Sequence, residues 1–87
     1  MTVIFELFGP ARLRAGHAEI TVPARTLGEA LRGLATACPS LSGPVIQDGQ
    51  LSRHFRLSLN GRSFVSDPDL ELNGSDRLLL LSAESGG

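Results

Sequence analysis

The sequence predicts a two-layer α+β domain, built from five strands and one main helix. Three observations lead there. Five short runs have strand character, with apolar residues at alternate positions or throughout. They flank a single helical repeat, which can cover only one face of a sheet. The chain has 87 residues, 41% of them hydrophobic and 20% charged, so a single core is expected.

The run from Thr2 to Phe8 is β-branched and aromatic, and it places Val3, Phe5 and Leu7 on one face of a strand and Ile4, Glu6 and Phe8 on the other. Gly9-Pro10 ends it, and a loop is expected through Gly16. From His17 to Val22, Ala18, Ile20 and Val22 alternate with His17, Glu19 and Thr21, a half-buried strand that makes a hairpin with the first. Thr26 and Glu29 have capping-box spacing, and Leu27, Ala30, Leu31 and Leu34 recur with helical period. This helix should stop near Cys38, because Pro39 disfavours helical geometry in the residue before it. Pro39 to Arg53 is rich in Pro, Ser and Gly and reads as a long loop with room for one short helical turn.

His54 to Leu59 alternates again, with Phe55, Leu57 and Leu59 against His54, Arg56 and Ser58, and Asn60-Gly61 is a strong two-residue hairpin signal returning through Arg62 to Val65. Turn chemistry follows at Asp67-Pro68-Asp69 and Asn73-Gly74. Arg77 to Leu81 then makes the fifth strand, with four consecutive leucines suited to the middle of a sheet. If Leu78 and Leu80 pack under the helix, Leu79 and Leu81 point outward beside Ile4 and Phe8. An apolar patch of that kind is expected to meet a partner protein.

Composition excludes several functions. Eight basic and nine acidic residues give a net charge of -1, with no electrostatic footprint for nucleic acid or anionic lipid. All eight basic residues are arginine, so there is no P-loop lysine, no Schiff base and no isopeptide bond onto this chain's own side chains. Cys38 alone makes no internal disulfide, and with the separated His17 and His54 it is too small a set for structural zinc or an iron-sulfur cluster. Cys38 should pack at the helix end as a small apolar residue, and both histidines should face solvent. Arg12, Arg14, Arg53 and Arg62 read as solvated surface. No charged-then-apolar leader or long apolar run begins the chain, so a cytoplasmic protein is expected.

The chemistry is expected at the last two residues, Gly86 and Gly87. A polar tail over residues 83–87, leaving a central strand, would reach about 17 Å beyond a body of about 12 Å radius. Glycine lacks Cβ, so such a tail can thread a narrow channel. The reacting group would be the Gly87 α-carboxylate. A free carboxylate resists nucleophiles and must first be activated, for example as an acyl adenylate made from ATP. Neither glycine-rich nucleotide motif occurs in the sequence, which assigns that activation to a separate enzyme.

The order strand-strand-helix-strand-strand-strand with a protruding Gly-Gly end resembles the ubiquitin-like β-grasp sulfur carriers. These include the small subunit of molybdopterin synthase, the thiamine sulfur carrier and the carrier of a thiocarboxylate-dependent cysteine synthesis. The resemblance spans the whole chain and rests on Leu7-Phe8-Gly9-Pro10-Ala11-Arg12, Leu27 to Leu34, Leu59-Asn60-Gly61, Leu72-Asn73-Gly74-Ser75-Asp76 and Ser85-Gly86-Gly87. It implies a β-grasp domain over residues 1–82 with a mixed five-stranded sheet and one main helix, and a flexible tail over 83–87.

The resemblance also implies a function. A ubiquitin-activating-like adenylyltransferase, using ATP and Mg, would adenylate Gly87, and a sulfur donor would convert the adenylate to a thiocarboxylate. That sulfur would pass to a partner synthase or large subunit, while Gly86 permits threading and Phe8 and Leu81 match outer-face residues that meet the partner. The chain itself would bind no cofactor or metal and catalyse no reaction. Length and the loop before His54 point to the molybdopterin-type or cysteine-type carrier, and Asp48 to Phe55 resembles the latter. The tail lacks the proline often seen in the molybdopterin type, and Leu79 and Leu81 stand where aromatics are common. Two other functions stay open: a ubiquitin-like modifier joined through Gly87 to lysines of other proteins, and a plain interaction module.

Overall fold

The computed structural model describes residues 1–83, so the expected tail glycines Gly86 and Gly87 lie outside the described residues. In chain order the elements are β1 (Thr2–Leu7), α1 (Gly9–Ala15), β2 (Glu19–Pro23), α2 (Leu27–Ala37), a 3-10 turn (Pro39–Leu41), β3 (Ile46–Gln47), β4 (Gln50–Leu51), β5 (Phe55–Leu59), β6 (Ser63–Val65) and β7 (Arg77–Ser82). Five strands form one sheet in the order β2-β1-β7-β5-β6, and β3 and β4 form a separate small ribbon. The β1–β7 pair is parallel and the other three pairs are antiparallel, so the sheet is mixed, with β7 at its centre as its leucines require.

One face of the sheet packs on α2. Val3, Phe5 and Leu7 of β1, Leu57 of β5 and Leu78 and Leu80 of β7 join Leu27, Ala30, Leu31 and Leu34 of the helix in a single core. The helix begins with the expected capping box: Thr26 Oγ1 accepts the Glu29 amide at 3.3 Å, and Glu29 Oε1 accepts the Thr26 amide at 3.2 Å. It ends where Pro39 predicts, at Cys38, whose amide still donates to the Leu34 carbonyl at 2.8 Å. Cys38 is buried in the core cluster, and this burial pushes its thiol pKa up.

Three segments differ from expectation. Residues 9–15 form a helix, α1, where a loop was expected. Gly9-Pro10 ends the strand, but Pro in the first turn of a helix forgoes only an amide that has no intrahelical partner. Ala11, Arg12, Leu13, Arg14 and Ala15 are favourable or tolerated helix residues, and Gly16 closes the helix in the left-handed region at φ 76°. Phe8 accordingly leaves β1 and caps α1. The second strand starts at Glu19, leaving His17 outside it and Ala18 exposed.

The third difference is the β3–β4 ribbon within the segment 39–53, which also holds the expected short helical turn at Pro39–Leu41. Asp48 and Gly49 both have positive φ, 53° and 73°, the geometry that closes a two-residue hairpin with the sheet's natural twist. Leu41, Val45 and Ile46 from this segment are buried in the main core. Isolated among Pro, Ser and Gly, they show no period in sequence.

Asn60 ties the β5–β6 turn to the start of β7. It adopts φ 56°, followed by Gly61 at 70°. Its amide donates to the Arg77 carbonyl at 2.7 Å, its Oδ1 accepts the Arg77 amide at 2.8 Å, and its Nδ2 donates to Asp76 Oδ1 at 3.1 Å. Asp76 Oδ2 in turn accepts the Asn73 amide at 2.7 Å. Few residues other than Asn combine a tolerated left-handed backbone with a side chain that both donates and accepts.

Three outcomes are expected in urea unfolding. Leu80→Ala, which empties a fully buried site, should destabilise the fold by about 2–5 kcal/mol, and Leu79→Ser on the opposite face by less than about half of that. Asn60→Ala should cost about 1–3 kcal/mol, part of it recovered by Asn60→Gly, which relieves the backbone but not the hydrogen bonds. Because the folded thiol titrates above the unfolded one, Cys38 favours the fold below the ordinary thiol pKa and loses that contribution as pH rises through it. Stability should therefore fall above that pH in the native chain and stay flatter in Cys38→Ala.

Candidate functional site

The sheet face away from α2 carries no layer of its own among the described residues, and register places its side chains. Glu19 pairs with Glu6, Glu6 with Leu79, Leu79 with Ser58, and Ser58 with Phe64. Strand alternation puts all five on the open face, in one row across the sheet. Ile4 beside Arg77 lies on one flank of this row, and Leu81 beside Arg56 on the other.

The expected patch is therefore assembled by three of its four members: Ile4, Leu79 and Leu81 are half-buried on this face. Phe8 stands one step beyond the paired Leu7 and Leu80, its amide donating to the Leu80 carbonyl at 3.2 Å, and it is 39% exposed at the cap of α1. It borders the patch at the end where β7 runs toward Ser82. There the amide of Ala83 donates to the His54 carbonyl at 2.8 Å, so the chain stays tied to β5 through that residue. Gly86 and Gly87 fall outside the described residues.

Two features of the face were not singled out from sequence. Phe64 is 63% exposed, with the Arg56 guanidinium 5.4 Å from its ring centroid. Its signal was available, because pairing from the Asn60-Gly61 turn puts Phe64 opposite Ser58, which alternation already turned outward. The second feature is ionic. Arg77 Nη1 donates to Glu6 Oε1 and, at 3.0 Å, to Glu19 Oε2. The Glu19 hydrogen bond contributes most to holding the guanidinium pKa above its ordinary range, with Glu6 adding to it, although the Glu6 contact is the shorter. Two carboxylates share one cation, so the β2–β1 side of the face keeps an excess negative charge, while Arg56 makes the β5–β6 side positive.

Among the described residues no three His, Cys, Asp or Glu side chains come together as a metal site would need. His17 and His54 are exposed, as are Arg12, Arg14, Arg53 and Arg62. A depression of about 550 Å³ lies beside Thr26, Glu29 and Glu71, but there the Glu29 carboxylate accepts the Arg25 amide at 2.8 Å and the Thr26 amide, so it caps the helix. Among the described residues no helix is long and apolar enough to cross a membrane. What the site offers is an apolar, charge-flanked surface beside the end of the central strand.

No protein-family model and no curated protein matches the chain. Solved structures do. SAMP1 from Haloferax volcanii is 28% identical with a TM-score of 0.85, and the match covers 100% of each chain. A chain of the Amycolatopsis orientalis BexX/CysO complex matches at TM-score 0.79 and 18% identity, over 98% of this chain and 99% of that one. The putative molybdopterin converting factor subunit 1 from Pyrococcus furiosus matches at TM-score 0.75 and 19% identity, over 93% and 95%. The chain thus has the ubiquitin-like β-grasp fold, and its structural neighbours come from the same group of small proteins that its sequence resembles.

Proposed function

We propose that this chain is a sulfur carrier that acts through the carboxyl group of Gly87 in tail 83–87, without catalysing a reaction itself. A separate ubiquitin-activating-like adenylyltransferase, using ATP and Mg, joins the Gly87 carboxylate to AMP and releases pyrophosphate. A sulfur nucleophile then displaces AMP and leaves a thiocarboxylate, which gives its sulfur to a biosynthetic partner of the molybdopterin or cysteine type. Gly86 lets the tail thread into the partner's site. Ile4, Leu79, Leu81 and Phe8 dock the body against that partner, with Phe64 extending the surface.

The observation that carries this reading is the match over nearly the whole chain to a chain of the BexX/CysO complex and to the putative molybdopterin converting factor subunit 1, at TM-scores of 0.79 and 0.75, in a chain whose sequence places Ser85-Gly86-Gly87 just after its central strand. The complex of CysO with BexX supports docking on a protein partner. The absence of a nucleotide motif supports activation by another enzyme.

A second reading has its own support. The 28% identical neighbour is a small archaeal modifier protein, which favours attachment of Gly87 to lysines of other proteins. Both readings share the adenylation step. With no lysine, the chain cannot build side-chain-linked polymers of itself in either case.

Incubation with the activating enzyme, ATP, Mg and a sulfide donor should change the intact mass by one oxygen replaced with sulfur. Deleting Gly87 should abolish this change while leaving the circular dichroism spectrum intact. An unchanged native mass, or the same gain in the deletion variant, would contradict the sulfur-carrier reading. Covalent conjugates of higher mass in cells, lost on the same deletion, would establish the modifier reading.

A further inference from the structure

The row Glu19–Glu6–Leu79–Ser58–Phe64 is centred on the middle strand and has opposite character at its two ends. On one side stand two carboxylates that share Arg77, and on the other a small residue and an exposed ring with Arg56 lying over it. Such a face is complementary to itself in one orientation only. A two-fold axis parallel to β7 lays Leu79 over Leu79 and brings the β2 side of one sheet over the β6 side of the other. A two-fold axis running across the strands instead stacks carboxylates on carboxylates, and like charges facing each other oppose association.

We propose that two copies of this chain associate face to face through the open side of the sheet, about a two-fold axis along β7, with Glu6 and Glu19 of each copy against the exposed Phe64 and Arg56 of the other. The leucines supply the apolar centre: Leu79 and Leu81 remain half-buried in the single chain and lose the rest of their water in the pair. Around them the excess negative charge of each acidic side meets the Arg56 guanidinium of the other copy, already oriented by the Phe64 ring.

The size of the face sets the strength. Five strands about 4.8 Å apart and about five residues deep cover roughly 400 Å² per copy, about half of what each partner contributes to a standard stable interface. The pair is therefore concentration-dependent, monomeric at micromolar and dimeric toward millimolar concentration. It covers the surface through which the Proposed function docks a synthase, so self-association and partner docking exclude each other. The dimer does not depend on that function being right, because it uses no residue of the tail.

Sedimentation equilibrium from micromolar to millimolar concentration tests this on the full chain. The native protein should dimerise, more weakly as salt rises. Glu19→Arg and Arg56→Glu should each weaken dimerisation about tenfold, and an equimolar mixture of the two should recover to within about threefold of the native value, since only the mixed pair restores both contacts. Leu79→Ser should weaken it without charge change, a separate check if either reversal disturbs the fold. A native chain monomeric at millimolar concentration would overturn the proposal. So would reversals without effect, or a mixture no tighter than its components. Deleting Gly87, which the dimer does not use, should abolish thiocarboxylate formation and leave dimerisation unchanged, so loss of the dimer and loss of the carrier chemistry are read separately.

Discussion

A strand with four consecutive leucines is poorly suited to a sheet edge, so β7 must be flanked by hydrogen-bonded neighbours on both edges. The sheet order satisfies this by inserting it between β1 and β5. Leu78 and Leu80 go fully into the core under α2, a burial that contributes about 3–6 kcal/mol for the two side chains together. The cost is topological: β1 and β7 lie at opposite ends of the described chain, and their parallel pairing closes a loop through nearly every other element. The Asn60 and Asp76 hydrogen bonds hold the entrance of β7 to the β5–β6 turn, so its register is set where it enters the sheet.

The same strand links fold to function. Its outward leucines have no second helix layer to cover them among the described residues, because a two-layer fold has only one layer to give. The neighbouring strands do not make the open face uniformly apolar. They surround the leucines with Glu6, Glu19 and Arg77 on one side and Arg56 and Phe64 on the other. That distribution suits a surface that must stay soluble alone and still recognise a particular orientation of whatever covers it. The end of β7 emerges at the border of this face, beside Phe8, and the proposed function uses that border to couple docking of the body to delivery of the carboxyl end.

Much of this was legible in the sequence, and the physical reasons for success and failure are distinct. Period and capping chemistry are local signals, and they located α2, its box at Thr26 and Glu29, and the alternation of β1 and β5. The central place of β7 followed from having leucine on both faces, and the mixed sheet from the family resemblance. The helix α1 was missed because Gly9-Pro10 breaks a strand and also starts a helix, and local sequence does not say which. The β3–β4 ribbon was missed because Val45 and Ile46 are held by tertiary contacts without any local period. Ile4, Leu79 and Leu81 were found from alternation alone, whereas the Arg77 cluster and the Arg56–Phe64 contact needed the strand order.

In the proposed function β7 is the most firmly held strand, a rigid base from which the carboxyl end is presented. Native-state hydrogen exchange of individual amides measures this directly. The amides of Leu78, Leu79 and Leu80 should exchange only through global unfolding, with protection matching the full stability of the domain, while those of the edge strand β6 open at lower free energy. Exchange of the β7 amides by local opening, at or below the protection of β6, would contradict it.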